Sequence, residues 1–261
     1  MNKFFVITLI CGLATGLAIV SWAGVDPGVE GETYYCAFPL TVVLDGNFDD
    51  AAWSIAPWHG DTIQREGLTD SADADITFAA VADMEWLYVA LKVSDDKIQT
   101  GEDVGGDVWK DDSVEVYIDA NHGATEAYDD DDAQITIGAD NIGGDIDNPK
   151  LAGTGGGADT GTKAAVVQTS TGWNVEAAIP LKNNKWDIKV ADGLAIGFNV
   201  HLNDDDDGGG RDHKLIWSKN DPDDRSWTSS APYGDLIFVG PVTAVNTKGK
   251  VATAWGIIKS E

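Results

Sequence analysis

The sequence predicts an all-β protein, an antiparallel β-sandwich of immunoglobulin or jelly-roll type with about ten short strands. Three observations lead there. Apolar and polar residues alternate with period two in many short runs. Gly, Asp, Asn and Pro bound those runs, and no sustained helical period interrupts them. Of 261 residues, 43% are hydrophobic and 9% aromatic, enough for one packed core.

Taken in order, residues 1–23 read as a secretory leader. Lys3 precedes the apolar run Phe4 to Val20, and Ser21-Trp22-Ala23 offers small residues at a cleavage position. The run is short for a membrane span and no second one follows, so the mature chain is expected outside the membrane, extracellular or periplasmic. Cys11 leaves with the leader. Cys36 is then the sole thiol, an intrachain disulfide is impossible, and bound metal becomes the next candidate stabiliser. Residues 24–38 form a polar lead-in without periodicity.

The strands follow within residues 39–240. Asp75 to Ala82 comes first, then Trp86 to Val93 with Leu87, Val89, Leu91 and Val93 on one face. Ser113 to Asp119 sets Val114, Val116 and Ile118 against Ser113, Glu115, Tyr117 and Asp119. Gln134 to Ile137 turns Ile135 and Ile137 inward and Gln134 and Thr136 outward. Lys163 to Thr169 and Gly172 to Ile179 come next, the latter with Trp173, Val175, Ala177 and Ile179 opposing Asn174 and Glu176. Ala195 to Asn203 places Ile196, Phe198, Val200 and Leu202 against Asn199, His201 and Asn203. Lys214 to Ser218 and Asp235 to Val239 complete the set. Gly153 to Gly161 is expected to be a long hairpin loop between strands of one domain. Residues 241–261 form a tail in which Lys248, Lys250 and Lys259 face a single Glu, read as a flexible or loosely docked terminus, with an attachment or export signal as the sharper reading.

Charge narrows the partners. With 17 Lys and Arg against 44 Asp and Glu, the formal charge is -27. Polyanions bind by exchanging counterions for basic side chains, so nucleic acid is not an expected ligand.

Six segments in order resemble a carbohydrate-binding module of family 9, within the wider DOMON-like β-sandwich group. They are Leu44-Asp45-Gly46 through Trp53; Val108 to Asp119; Asp130-Asp131-Asp132-Ala133-Gln134; Gly172 to Pro180; Ile196-Gly197-Phe198-Asn199; and Ser226-Trp227 through Gly234-Asp235-Leu236. The resemblance implies a sugar held between two tryptophans, here Trp109 and Trp227, with Glu115 as a polar contact and with structural calcium. It also implies a carbohydrate partner and association with secreted glycoside hydrolases. Where the best-known sugar-binding form of that family has Arg, Gln and Asn contacts, this chain has Thr136, His201 and a position near Asp224, which leaves the preferred sugar open.

The residues support a sugar site independently. A pyranose needs flat aromatic surface for its C–H face and convergent donors and acceptors for its hydroxyls. Trp109 follows the turn Gly105-Gly106-Asp107, and Trp227 lies in a Pro- and Asp-rich loop, places where large aromatics are hard to explain as core. Trp53, Trp86, Trp173 and Trp217 lie in or beside strands and read as core. Glu115, Gln134, Thr136, Glu176, Asn199 and His201 are expected to share an outward polar face, a shallow floor under the aromatics. Acidic runs supply candidate Ca²⁺ ligands, Asp119, Asp129, Asp130, Asp131, Asp132, Asp204 and Asp206, because Ca²⁺ gathers several carboxylate and carbonyl oxygens from such loops. Solvated acidic loops are the plainer reading. Scattered His and one Cys give no zinc spacing.

Other readings stay open on the same scaffold. Glu115 and Glu176 would be the acid and nucleophile of a glycoside hydrolase, though nothing sets their separation, and a non-catalytic protein is expected. A DOMON-like haem protein would need Met84 as ligand, yet Asp83 and Glu85 flank it. An adhesion role would use the same surface.

Overall fold

The computed structural model describes residues 32–65, 73–101 and 107–241. The leader 1–23 with Cys11, the lead-in up to residue 31, the Gly105-Gly106 turn and the tail from residue 242 lie outside the described residues. The twelve strands are β1 (Thr33–Ala37), β2 (Ile63–Gln64), β3 (Asp75–Ala82), β4 (Trp86–Ser94), β5 (Ser113–Asp119), β6 (Asp132–Gly138), β7 (Leu151–Ala152), β8 (Lys163–Thr169), β9 (Gly172–Pro180), β10 (Ala195–Asp204), β11 (His213–Ile216) and β12 (Gly234–Val239). Helical structure among the described residues is confined to short 3-10 turns, and no helix there is long and apolar enough to cross a membrane.

The all-β expectation holds, but the arrangement is one curled, mixed sheet forming a half-barrel rather than a purely antiparallel one. Its order is β7-β6-β5-β10-β12-β1-β3-β4-β9-β8, with β11 pairing β10 and β2. The neighbours are antiparallel except at β1, which runs parallel to both β12 and β3. Residues 33–37, read from sequence as part of a lead-in, therefore supply the joint between two antiparallel halves. Gly153 to Gly161 is likewise no hairpin loop: β7 pairs with β6 and β8 with β9, so the stretch carries the chain from one half to the other.

Period-two alternation builds the core. Val114, Val116 and Ile118 of β5 and Phe198 and Val200 of β10 join Leu87, Val89 and Leu91 of β4 and Trp173 and Val175 of β9 in one buried cluster. Near the joint, Trp217 meets Phe78 edge-on at 5.3 Å and Phe198 at 5.8 Å, and Tyr34 of β1 lies 5.6 Å from Phe78.

The two halves differ on their outer sides. Behind β3, β4 and β9, Ala79, Val81, Tyr88, Ala90 and Ala178 are covered by Val42, Trp53 and Ala56 of the segment before β2, forming a second apolar cluster. Glu176 serves this cover, accepting from Asp45 N at 2.8 Å, Gly46 N at 2.7 Å and Trp53 Nε1 at 2.7 Å. It is thus separated from the polar face of β5, β6 and β10, where Glu115, Gln134, Thr136, Asn199 and His201 lie. That face is buried rather than solvated. Met84 is 61% exposed at the β3–β4 turn.

Trp173→Ala should cost about 3–5 kcal/mol, since the indole is wholly enclosed and its loss leaves a cavity. Urea unfolding checks this, with Met84→Ala as an exposed comparison expected to change stability by under about 0.5 kcal/mol.

Candidate functional site

The β5–β6–β10 ladder sets the floor. Glu115 faces Thr136 on β6 and His201 on β10 in the cross-strand register. Its position is fully enclosed, and burial alone would raise its pKa. The Lys214 ammonium and His201 outweigh that and hold the carboxyl well below the usual carboxylate range. Lys214 Nζ lies 2.8 Å from Glu115 Oε2 and 2.8 Å from Asp224 Oδ1, bridging two buried carboxylates. Tyr117 Oη donates to Glu115 Oε2 at 2.5 Å, and Gln134 Nε2 to Oε1 at 2.9 Å.

Of the three exposed tryptophans among the described residues, Trp109 and Trp227 are tied to this floor, and Trp58 packs beside Trp53 in the segment before β2. Trp109 sits in a 3-10 turn, Val108–Lys110, just before β5, and is 38% exposed; Trp227 is 50% exposed. Gln134 Oε1 accepts from Thr154 N at 3.1 Å, and Thr154 Oγ1 donates to the Trp227 carbonyl at 2.6 Å. On the other side, the Arg211 guanidinium lies 5.1 Å from the Trp109 ring, donates to Asn203 Oδ1 at 2.9 Å and meets Asp224 Oδ2 at 3.3 Å. Asp224 takes a left-handed backbone, φ 58°, a conformation Asp tolerates better than most side chains. Gly153 has φ 121°, and a Cβ there would overlap the Gln134 carbonyl oxygen, so glycine lets the crossover run against the floor.

These groups line one pocket of about 430 Å³. Of the residues expected from sequence, Trp109, Trp227, Glu115, Gln134, Thr136 and Asp224 border it together. His201 does not. It is enclosed behind the floor, 4.5 Å from the Tyr117 ring, and accepts from Asn199 Nδ2 at 2.9 Å. Burial, reinforced by Lys214, lowers its pKa, so it acts as a neutral support. Asn199 is another support, donating to Ser226 Oγ at 3.0 Å. Glu176 lies under the segment before β2, so it and Glu115 do not share this pocket. Sequence reasoning missed Arg65, Arg211 and Lys214, which do line it. Arg211 and Lys214 are basic residues that follow the acidic run Asp204 to Asp207 and its three glycines, a usable cue. Arg65 has none.

The acidic residues assemble differently from the expected grouping. Asp119, Asp131 and Asp132 offer oxygens within 4.8 Å of one another, as do Asp95, Asp112 and Asp204. Asp206 falls with Asp73 and Asp96 instead, and a further group is Asp205, Asp207 and Asp212. Asp129 and Asp130 join no such group among the described residues. Asp129 Oδ1 accepts from Asp131 N at 3.1 Å, and the Asp130 carbonyl from Lys185 Nζ at 2.8 Å. Burial and neighbouring carboxylates push Asp131 up to about 7 and Asp132 to about 6. Asp112 rises to about 8 and Asp204 to about 6, again chiefly by burial. Asp132 Oδ1 and Asp95 Oδ2 are buried without a hydrogen-bond donor among the described residues. Crowded carboxylates with unused oxygens are the donor set of a hard divalent cation. The two groups fall at the ends of β5, Asp119 closing the strand and Asp112 preceding it.

Comparison with known proteins gives a consistent pattern. A family model described as carbohydrate family 9 binding domain-like matches residues 44–241. Endo-1,4-beta-xylanase A of Thermotoga neapolitana is 33% identical over 211 residues, 81% of this chain and 18% of that protein. Exoglucanase XynX of Acetivibrio thermocellus is 30% identical over 212 residues, 80% of this chain and 17% of that protein. Endo-1,4-beta-xylanase A of Thermoanaerobacterium saccharolyticum is 29% identical over 80% of this chain and 16% of its own length. The chain thus spans less than a fifth of each of these relatives. Among solved structures, a family 9 carbohydrate binding module from Caldicellulosiruptor kristjanssonii in complex with cellotriose has a TM-score of 0.66 at 20% identity, covering 82% of this chain and 100% of that one. The same kind of module in complex with glucose gives 0.64 at 21% identity, with the same coverage.

Lys214→Met should be strongly destabilising, by about 3–5 kcal/mol, because Glu115 and Asp224 are then left buried without their ammonium. Glu115→Gln should change the acid limb of the stability profile. A carboxyl held below its unfolded value stabilises above roughly pH 4.3 and loses that contribution as pH falls through its folded pKa. Denaturant titrations across pH therefore should show a shallower acid loss in Glu115→Gln than in the wild type.

Proposed function

The chain belongs to the carbohydrate family 9 binding domain-like family, and on that premise we propose that it is a secreted, non-catalytic protein that holds a pyranose between Trp109 and Trp227. One observation carries the reading: the exposed indoles of Trp109 and Trp227 border the same pocket, above a floor of Glu115, Gln134, Lys214 and Asp224. The rings would cover the C–H face of the sugar, and the floor supplies charged donors and acceptors for its hydroxyls. A terminal residue of a polysaccharide fits a pocket of this size better than a length of chain does. The cellotriose and glucose carried by the two related modules favour a glucose-type ring. Secretion rests on the leader read in residues 1–23, and service beside glycoside hydrolases on the xylanases among the relatives.

Calcium belongs to the same proposal. Asp119, Asp131 and Asp132 at one end of β5, and Asp95, Asp112 and Asp204 at the other, would each hold one ion. Bound there, calcium would cancel carboxylate repulsion and fix the strand that carries Glu115 in register with its neighbours.

A glycan array followed by calorimetry on the hits tests the reading. Trp109→Ala and Trp227→Ala should each weaken sugar binding by about ten- to a hundredfold, since burying some tens of Å² of indole against a sugar face is worth about 1–3 kcal/mol. Folding stability should change little in either. Unaltered affinity, or unfolding, would remove the clamp assignment, and absence of any sugar ligand for folded, calcium-loaded protein would leave the fold in a surface-adhesion role. Chelation should lower the melting temperature by several degrees, because a hundredfold excess of ligand over Kd contributes about 2.7 kcal/mol. An unchanged melting curve after confirmed metal removal counts against calcium.

A further inference from the structure

The pocket holds more positive charge than a neutral sugar uses. Arg65, Arg211 and Lys214 enter it against Glu115 and Asp224, while Asp107 at the rim is paired with Lys110 at 3.0 Å. Asp221 lies behind His201, outside the lining, with its oxygens on Arg225 N at 2.5 Å and Ser226 N at 3.0 Å. Lys214 is satisfied by its two close carboxylates. The guanidinium groups are less well placed, because both turn to the same oxygen, Asp224 Oδ2, at 3.3 Å. Good charge-assisted bonds are about 2.7–2.9 Å. Arg65 makes that contact through Nε, at ion-pair distance but without a hydrogen bond among the described residues. Arg211 is fixed against Trp109 with 9% exposure, and Arg65 stands at the mouth with 35%.

We propose that this pocket selects a pyranose bearing a carboxylate, a uronic acid, whose oxygens are taken up by Arg65 and Arg211 beside Asp224. The inference rests on the carbohydrate-binding reading above and names the sugar class within it. A guanidinium presents paired donors that match a planar carboxylate, whereas a hydroxyl matches one donor at a time. Covering the extra cation with a neutral ring removes water from it and returns no countercharge. The same electrostatics limit the class. At a formal charge of -27 the rest of the surface repels anions, and screening removes that repulsion only beyond about 8 Å at physiological salt. A single uronate, terminal or pendant on an otherwise neutral glycan, therefore fits, and a polyuronate does not.

Calorimetry on the full mature protein in calcium-containing buffer, with glucuronate against glucose and galacturonate against galactose, tests this at low and high salt. At least one uronate should bind about tenfold more tightly than its neutral counterpart, the size of one well-made charged bond, with the advantage shrinking as salt rises. Arg65→Gln and Arg211→Gln should each bring the ratio of the two affinities toward one, and circular dichroism checks that each variant is folded. Glucose or galactose binding as tightly as its uronate, or more tightly, overturns the uronate inference and leaves the carbohydrate-binding reading standing. Failure of all four sugars, together with a silent glycan array, overturns both.

Discussion

The site depends on one buried ammonium. Lys214 bridges Glu115 and Asp224 at 2.8 Å each, and in doing so it binds β5, β11 and the loop that carries Trp227 to one point. Such a bridge adds little net stability, because desolvating three charges consumes most of their mutual attraction. Its effect is geometric. Glu115 and Lys214 are 99 positions apart in the chain, so their contact couples the register of β11 on β10 to the seating of the loop that carries Asp224.

From that point the two outer sides of the sheet take different parts. The segment before β2 closes one side with Trp53 and its apolar neighbours, and Glu176 is used up in holding that cover. The other side is closed by polar loops over a polar strand face, and there Trp109 and Trp227 stand. Burial of the floor raises the strength of every interaction in it, which a solvated sheet face would not do. A ligand entering here meets fixed dipoles and charges instead of mobile side chains.

Much of this was legible in the sequence where alternation was clean. β4, β5, β9 and β10 follow directly from period two, and Trp109 and Trp227 stood out because they lay in turns. β1 did not: burial alternates there, with Tyr34 and Cys36 enclosed and Thr33 and Tyr35 half-buried, but the half-buried face carries an aromatic ring, so the residue types show no apolar–polar period. The pairing of Lys214 with Glu115 was hidden by sequence distance. Alternation also says only that Glu115, Gln134 and His201 share a face, and whether loops cover that face depends on contacts that no local pattern encodes. Nor does a local pattern show which acidic side chains meet: Asp95 and Asp112, distant in sequence, come within reach of Asp204.

The parallel joint bears on how the molecule is made. Thr33 pairs with Asp235 and Ala37 with Val239, so the first strand of the sheet finds its longest partner some two hundred residues later. Until the last strand has been synthesised, β1 has only its single pairing with β3 at Ala37 and Val81 and lacks its full ladder. Contacts this remote in sequence slow folding, since a large loop must close before they form. The joint between the two halves is thus completed only when β1 and β12 are both present.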